Sequence, residues 1–145
     1  MSNLATPAVT ALAAGVLLIF QMILLLVAAR GRRRARQALG DGADAGLLRA
    51  VRRHGNLAEN AAIFLVGSAM FEMMGGARPW VEGLCAIFLL GRVSHAIGLS
   101  MTNTVNLFRI AGVALTVAAD VALAVRLITM ALPLLSDAGA GLAHI

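Results

Sequence analysis

Four long apolar segments divide the chain, and its polar residues gather between them and at their ends. The segments comprise residues 5–29, 57–74, 80–99 and 109–132. A helix needs about 20 apolar residues to cross the roughly 30 Å hydrocarbon core of a bilayer, and a chain in lipid must pair its backbone polar groups internally. The pattern therefore predicts an all-α membrane protein, a four-transmembrane-helix bundle in which residues 1–145 form a single domain.

Glycine and proline mark the predicted helix ends. The second segment stops at Gly75 and Gly76, and the third starts after Arg78 and Pro79. Pro133 follows the fourth segment and is predicted to end its helix, because proline lacks the N–H that a helix interior requires. Basic residues follow the first segment and do not precede it, so we do not expect that segment to be a cleaved signal peptide.

The composition supports the prediction of a membrane protein, and the arginines indicate its orientation in the bilayer. Hydrophobic residues make up 60% of the chain and charged residues 13%, against about half and about a quarter in soluble domains. Five of the twelve basic residues lie in residues 30–36, directly after the first segment. Such clusters stay in the cytoplasm, so the N- and C-termini are expected outside. The net charge of +5 thus indicates topology, and we expect no nucleic-acid partner.

One stripe of polar residues leads into the second apolar segment. Arg49, Arg52, Asn56 and Glu59 recur at helical spacing. At 3.6 residues per turn they fall within a sector of roughly 80° on one helix face. Because ionisable groups are costly at membrane depth, such a stripe is expected to face a partner or a water-filled site.

Two further segments carry polar groups toward the same cytoplasmic side. Arg92 and His95 are three residues apart and share a face of the third helix, and Arg109 begins the fourth. A common pocket is the economical explanation for polar groups of three helices at one depth. The alternative is that these groups pair across helices and only fix the packing of the bundle.

The pocket's side chains indicate the chemistry of its ligand. Arginines bind carboxylates well because the guanidinium fork matches two oxygens. Asn56 and Glu59 are suited to receive an ammonium group, and a thiol beside an arginine loses its proton more easily. A ligand with carboxylates, an amine and a thiol would therefore satisfy the pocket.

Other polar residues in the apolar segments favour structural roles. Cys85 is the single cysteine, so no intrachain disulfide is expected, and a thiol in an apolar span is usually inert. Asp120 lies deep in the fourth helix, where a partner on a neighbouring helix is favoured over a catalytic role. Gln21 is expected to join two helices. No metal site is predicted.

Two stretches of the sequence resemble the MAPEG proteins, the membrane-associated proteins in eicosanoid and glutathione metabolism. "GDGADAGLLRAVRRHGNLAEN" is similar to the family's signature between the first and second helices, and "GRVSHAIGL" is similar to its third-helix motif. The Gly-Asp-Gly start and the His-Gly-Asn triplet look most like the short bacterial branch. The resemblance implies a homotrimer in a bacterial inner membrane, with glutathione bound between neighbouring subunits toward the cytoplasm.

The resemblance also implies roles for individual residues. The positions that match the family's glutathione contacts are Arg30, Arg52, Asn56, Glu59 and His95. Arg109 matches, with a one-residue shift, the fourth-helix arginine near the thiol and is the expected catalytic residue. Arg92 belongs to the motif and is expected to organise the site more than to touch the substrate.

The chain departs from the family pattern at two positions. Leu99 stands where well-studied eukaryotic members have a tyrosine one turn after the third-helix histidine, and the whole chain has no tyrosine. Gly55 stands where the family has a second arginine, with Arg53 nearby as a possible substitute. Both departures predict a glutathione site that differs from that of the eukaryotic members, and the first favours a protein that binds its ligand without catalysis.

Three functional hypotheses follow. The leading one is a glutathione-dependent membrane enzyme, a transferase or peroxidase, that takes an apolar electrophile or lipid hydroperoxide from the surrounding lipids. The second is a non-catalytic membrane protein that binds a lipid or glutathione and acts on a partner. The third is a structural or transport bundle in which the charges are packing pairs.

Overall fold

Four helices make up most of the protein. The computed structural model describes residues 5–103 and 105–142, with side-chain detail through residue 135. The helices are α1 (Ala8–Ala35), α2 (Ala45–Met73), α3 (Arg78–Ser100) and α4 (Leu107–Leu142). These described residues include no strand, so the all-α prediction is confirmed. Three helices are long and apolar enough to cross a membrane, namely α1, α3 and the Leu107–Leu135 part of α4.

The second helix begins well before the apolar segment that predicted it. Asp44 starts α2, and its Oδ1 accepts hydrogen bonds from the backbone N–H of Gly46 at 2.7 Å and of Leu47 at 2.9 Å. These bonds hold the pKa of the Asp44 carboxyl below its ordinary value. The early start places the whole polar stripe on the helix. α2 is not among the helices that are apolar enough to span, so its crossing of the bilayer stays a prediction.

The predicted end of the fourth helix is wrong. Pro133 lies inside α4, which continues to Leu142. A proline within a helix removes one backbone hydrogen bond but does not by itself force a turn. Helices in membrane proteins tolerate such residues because neighbouring groups satisfy the freed carbonyl.

The loop after α1 uses one of the clustered arginines. Arg36 has a left-handed backbone, with φ of 52°, and its N–H donates to the carbonyls of Arg32 and Arg33, a common way to end a helix. The Arg32 guanidinium donates to the carbonyls of Ala38 at 3.2 Å and Gly40 at 2.9 Å. Arg32 therefore orders the loop, in addition to its predicted contribution to membrane topology.

The helices alternate in direction around an apolar core. The rings of Phe64 on α2 and Phe88 on α3 stack with centroids 3.9 Å apart, and both are buried. Leu17 of α1 and Leu123 of α4 belong to the same buried cluster. As a result, the end of α1, the start of α2, the end of α3 and the start of α4 meet at one end of the bundle.

A carboxylate closes the opposite end. Pro7 precedes α1 and offers no side-chain cap. Instead, the Glu72 carboxylate, at the end of α2, accepts hydrogen bonds from the backbone N–H groups of Val9 and Thr10, each at 2.9 Å. The Thr10 hydroxyl also donates to Glu72 at 2.8 Å. Because the first N–H groups of a helix have no partner within it, this contact fixes α1 against α2.

Glycines bring α3 and α4 together at the end of the bundle that carries the polar stripe. A Cβ on Gly98 would lie 2.5 Å from the backbone nitrogen of Arg109, and a Cβ on Gly112 would lie 2.5 Å from that of His95. A Cβ on Gly91 would lie 2.9 Å from the Thr116 hydroxyl. Gly91, Gly98 and Gly112 therefore permit the close approach of α3 and α4.

Candidate functional site

A cavity of about 780 Å³ opens where α2 begins, α3 ends and α4 begins. The sequence-predicted residues that line it are Arg52, Asn56, Glu59, His95 and Arg109. Other lining residues come from the loop after α3, including Thr102 and Asn103, which sequence reasoning missed. The bundle therefore gathers five of the six predicted site residues in one place.

The α2 wall of the cavity follows helical spacing. Arg49, Arg52, Asn56 and Glu59 all line the cavity, as the helical sector requires, and Gly55 lies between them. Arg52 and Glu59 are exposed in the single chain, whereas Asn56 is partly buried. This wall presents two guanidinium groups and one carboxylate to a ligand.

The α3 wall is less polar. His95 is buried, and the close packing against Gly112 fixes its backbone. Leu99, at the place of the family tyrosine, lines the cavity one turn later. The hydroxyl expected from eukaryotic relatives is therefore replaced at this wall by an apolar side chain.

Asn106 places Arg109 at the start of α4. The Asn106 Oδ1 accepts a hydrogen bond from the Arg109 N–H at 3.0 Å, and its Nδ2 donates to the Gly98 carbonyl at 2.9 Å. One side chain thus caps α4 and ties it to the end of α3. Asparagine three residues before Arg109, ahead of an apolar run, is a recognisable helix-start signature that the sequence reading missed.

Removal of this cap gives a first prediction. Asn106→Ala should lower the free energy of unfolding by about 1 kcal/mol, the usual cost of a lost helix cap. Asn106→Asp keeps the oxygen that accepts from Arg109 but loses the NH2 group that donates to the Gly98 carbonyl, so it should retain only the capping part of that stability. Thermal unfolding in detergent micelles measures both variants. Equal melting temperatures for Asn106→Ala and the wild type would contradict the role of Asn106 in capping α4.

Arg92 lies beneath the cavity and not in its wall. It is buried, and its Nη1 donates to Asn56 Oδ1 at 2.7 Å. Its Nη2 donates to the Thr116 hydroxyl, which in turn donates to the Gly112 carbonyl at 2.8 Å. The guanidinium also lies 5.6 Å from the centroid of the Phe88 ring. These contacts agree with the prediction that Arg92 organises the site.

Two predicted arginines stay outside this cavity. Arg30 is exposed on α1 and is not among the lining residues. Arg53 turns away as well, because its Nη1 donates to the Ser100 hydroxyl at 2.7 Å and its Nε to the Arg49 carbonyl at 3.4 Å. Within one chain, Arg53 therefore does not substitute for the arginine that Gly55 replaces.

The deeper polar residues occupy structural positions. Gln21 of α1 donates to the His54 carbonyl at 3.4 Å, which joins α1 to α2 as predicted. Cys85 is buried beside the Ser68 hydroxyl at 3.5 Å. Asp120 lies within electrostatic range of Arg92. The described residues hold no group of three His, Cys, Asp or Glu side chains that could bind a metal ion.

An apolar groove runs along α4 from the same end of the bundle. Its volume is about 950 Å³, and its lining is almost entirely aliphatic, including Val113, Val117 and Val121. Arg109 lines both the groove and the polar cavity. A polar site and an apolar surface therefore share one guanidinium.

The comparison with known proteins agrees with this arrangement. A sequence model of the MAPEG family matches residues 10–129, which include α2 and α3 whole, almost all of α1, and α4 as far as residue 129. The chain belongs to the MAPEG family. The fold described above is accordingly that of a membrane protein of this family.

Two curated relatives are similar to this MAPEG chain. Each is named "Inner membrane protein YecN", one from Escherichia coli strain K12 and one from Escherichia coli O6:H1 strain CFT073. Each is 41% identical over 70 residues, which cover 48% of this chain and 53% of the relative. The chain thus spans about half the length of the curated relatives it matches. No solved structure gives a significant match.

Proposed function

We propose that the protein is a glutathione-dependent enzyme of a bacterial inner membrane, of the glutathione transferase or peroxidase type. The cavity that gathers Arg52, Asn56, Glu59, His95 and Arg109 carries this proposal. Family membership supports it, because glutathione chemistry is characteristic of MAPEG proteins. The inner membrane is proposed from the relatives' printed names and from the three membrane-length helices.

The charges of the cavity complement glutathione. Arg49, Arg52 and Arg109 supply three guanidinium groups for its two carboxylates and its sulfur, and Glu59 supplies one carboxylate for its ammonium. Bidentate pairing makes arginine the most suitable residue for such carboxylates. A volume of about 780 Å³ also lies within the range of small-molecule sites.

The proposed chemistry depends on the thiolate. Arg109, at the junction of cavity and groove, would stabilise the negative charge of the glutathione sulfur. In a transferase reaction the thiolate attacks an electrophilic carbon and forms a carbon–sulfur bond, while the bond from that carbon to a leaving group breaks and its electron pair departs with the leaving group. In a peroxidase reaction two glutathione molecules reduce a hydroperoxide to an alcohol and water and leave as the disulfide. The apolar groove would admit either second substrate from the bilayer.

The assembly is proposed to be a homotrimer. Arg52, Glu59 and Arg109 are exposed in one chain, so the cavity is open on the side where a neighbour would lie. Arg30 is exposed on α1 and would reach such a cavity from an adjacent copy. The arginines of residues 30–36 support an orientation with this end in the cytoplasm and both termini outside.

The alternative function is a non-catalytic binding protein for glutathione or a lipid. Leu99 at the tyrosine position favours it, since an apolar side chain there provides no hydroxyl for the ligand. This alternative predicts glutathione binding without turnover of electrophiles or hydroperoxides.

Glutathione binding to the detergent-purified protein tests the proposal directly. We expect saturable binding by calorimetry, together with new ultraviolet absorbance in the thiolate band at a pH where free glutathione is largely protonated. S-methylglutathione, which has no ionisable thiol, should bind without the absorbance. Binding without thiolate would favour the non-catalytic alternative. If the folded protein does not bind glutathione at millimolar concentration, the proposal is wrong, and the polar residues of the cavity have a structural role or bind lipid.

A further inference from the structure

The hydrogen-bonding direction of Asn56 is determined by its neighbour. Arg92 Nη1 lies 2.7 Å from Asn56 Oδ1. A guanidinium has N–H donors and no acceptor. The amide of asparagine has one oxygen, which accepts, and one NH2 group, which donates. Only the oxygen can pair with Arg92, so the NH2 group is the part of the amide left to face the cavity that Asn56 lines.

Arg92 is itself held in place, so it cannot turn aside to release the amide. It is buried with 4% of its surface exposed, and its second terminal nitrogen donates to Thr116. The Thr116 hydroxyl gives its own hydrogen to the Gly112 carbonyl and therefore offers Arg92 only a lone pair. The Phe88 ring packs against the guanidinium. Burial and two contacts, with Thr116 and Phe88, therefore hold Arg92 in place, and its guanidinium imposes one orientation on the Asn56 amide.

We infer that Arg92 is a positioning residue that makes Asn56 a hydrogen-bond donor, and that Asn56 therefore selects a carboxylate of the ligand and not its ammonium group. This inference differs from the expectation that Asn56 helps to receive the amine. The inference rests on the proposed function for the identity of the ligand. The ammonium is then left to Glu59, the one carboxylate among the described residues that line the cavity.

The inference predicts the binding preferences of an isosteric variant. Asn56→Asp keeps an oxygen for Arg92 but replaces the cavity-facing NH2 group with a second oxygen, which repels a carboxylate. The probes are glutathione and its two monoamides, in each of which one carboxylate has become a carboxamide. Wild-type protein should bind glutathione about tenfold more tightly than one monoamide, the usual scale of a hydrogen bond to a charged group. The affinity of Asn56→Asp for glutathione should be about tenfold lower than that of the wild type. Its affinity for the same monoamide should rise, because the carboxamide NH2 of the probe can donate to the new carboxylate.

Variants of Arg92 distinguish a role in positioning the Asn56 amide from a role in packing alone. Arg92→Lys retains a donor-only group and should retain the preference for glutathione over the monoamide. Arg92→Met frees the Asn56 amide to rotate and should reduce that preference to within about twofold. Glutathione affinity that is unchanged or tighter in Asn56→Asp would overturn the inference, because an ammonium beside residue 56 would gain from the new carboxylate.

Stability measurements test the Arg92–Asn56 contact without any ligand. Asn56→Asp preserves an acceptor for the buried guanidinium, whereas Asn56→Leu, of similar size, removes it. The melting temperature in detergent should fall in Asn56→Leu and not in Asn56→Asp, because a buried donor without its partner is costly. Equal melting temperatures would overturn the inference. If the temperatures differ as expected but wild-type protein binds none of the probes, the proposed function and the selection of a carboxylate both fail, while the positioning of Asn56 by Arg92 holds.

Discussion

Gly112→Ala is expected to lower the free energy of unfolding by about 3 kcal/mol, the upper end of the usual cost of overpacking. The added Cβ would lie 2.5 Å from the backbone nitrogen of His95 and 2.7 Å from its Cα. Real Cβ atoms do not approach so closely, and backbone atoms cannot move aside as the end of a flexible side chain can. The two helices would have to separate. Since α3 and α4 pack against each other more extensively than any other pair, the loss would extend beyond one contact.

Gly83→Ala is the matched control for this prediction. Gly83 also lies within a helix, and a Cβ there would meet nothing within 4 Å. Alanine favours the helix over glycine by roughly 0.5–1 kcal/mol, so this variant should be neutral or slightly stabilised. Thermal unfolding of both variants in the same detergent provides the comparison. If Gly112→Ala and Gly83→Ala have the same melting temperature, α3 and α4 are not in close contact at Gly112.

Arg109→Ala is expected to reduce glutathione-dependent turnover by on the order of 10²–10³-fold, the typical cost of removing one preorganised charge-stabilising group. The absorbance of bound thiolate should disappear in the same variant. Glutathione itself should still bind, because Arg49, Arg52 and Glu59 remain in the cavity wall. The expected effect is therefore larger on turnover than on binding.

Arg126→Ala controls for the loss of an arginine from α4. The Arg126 guanidinium lies 4.0 Å from the centroid of the Trp80 ring, away from the cavity. Its removal should leave both the thiolate absorbance and the turnover unchanged. If Arg109→Ala keeps the thiolate absorbance at wild-type level, Arg109 does not activate the sulfur and the proposed mechanism is wrong.

Much of the fold could be predicted because apolar length and helical spacing are local properties. The four apolar segments each lie largely within one observed helix, and the polar stripe lines one cavity as its spacing requires. The polar stripe already placed Arg49 on the second helix, but the Asp44 cap at the start of α2 and the continuation of α4 through Pro133 were not predicted. The cap depends on hydrogen bonds to the Asp44 side chain, which apolar periodicity does not report, and the continuation of α4 shows that one proline did not end this helix.

The sequence by itself determined that the chain is helical, that most of its helices suit a membrane, and that Arg52, Asn56 and Glu59 share one face. Only the tertiary structure decided which residues meet across helices. It turned Arg53 toward Ser100 and buried Arg92 beneath Asn56. The physical reason is that spacing fixes a residue's direction on its own helix. Contact between helices depends on how closely their backbones approach, and here Gly98 and Gly112 decide that distance.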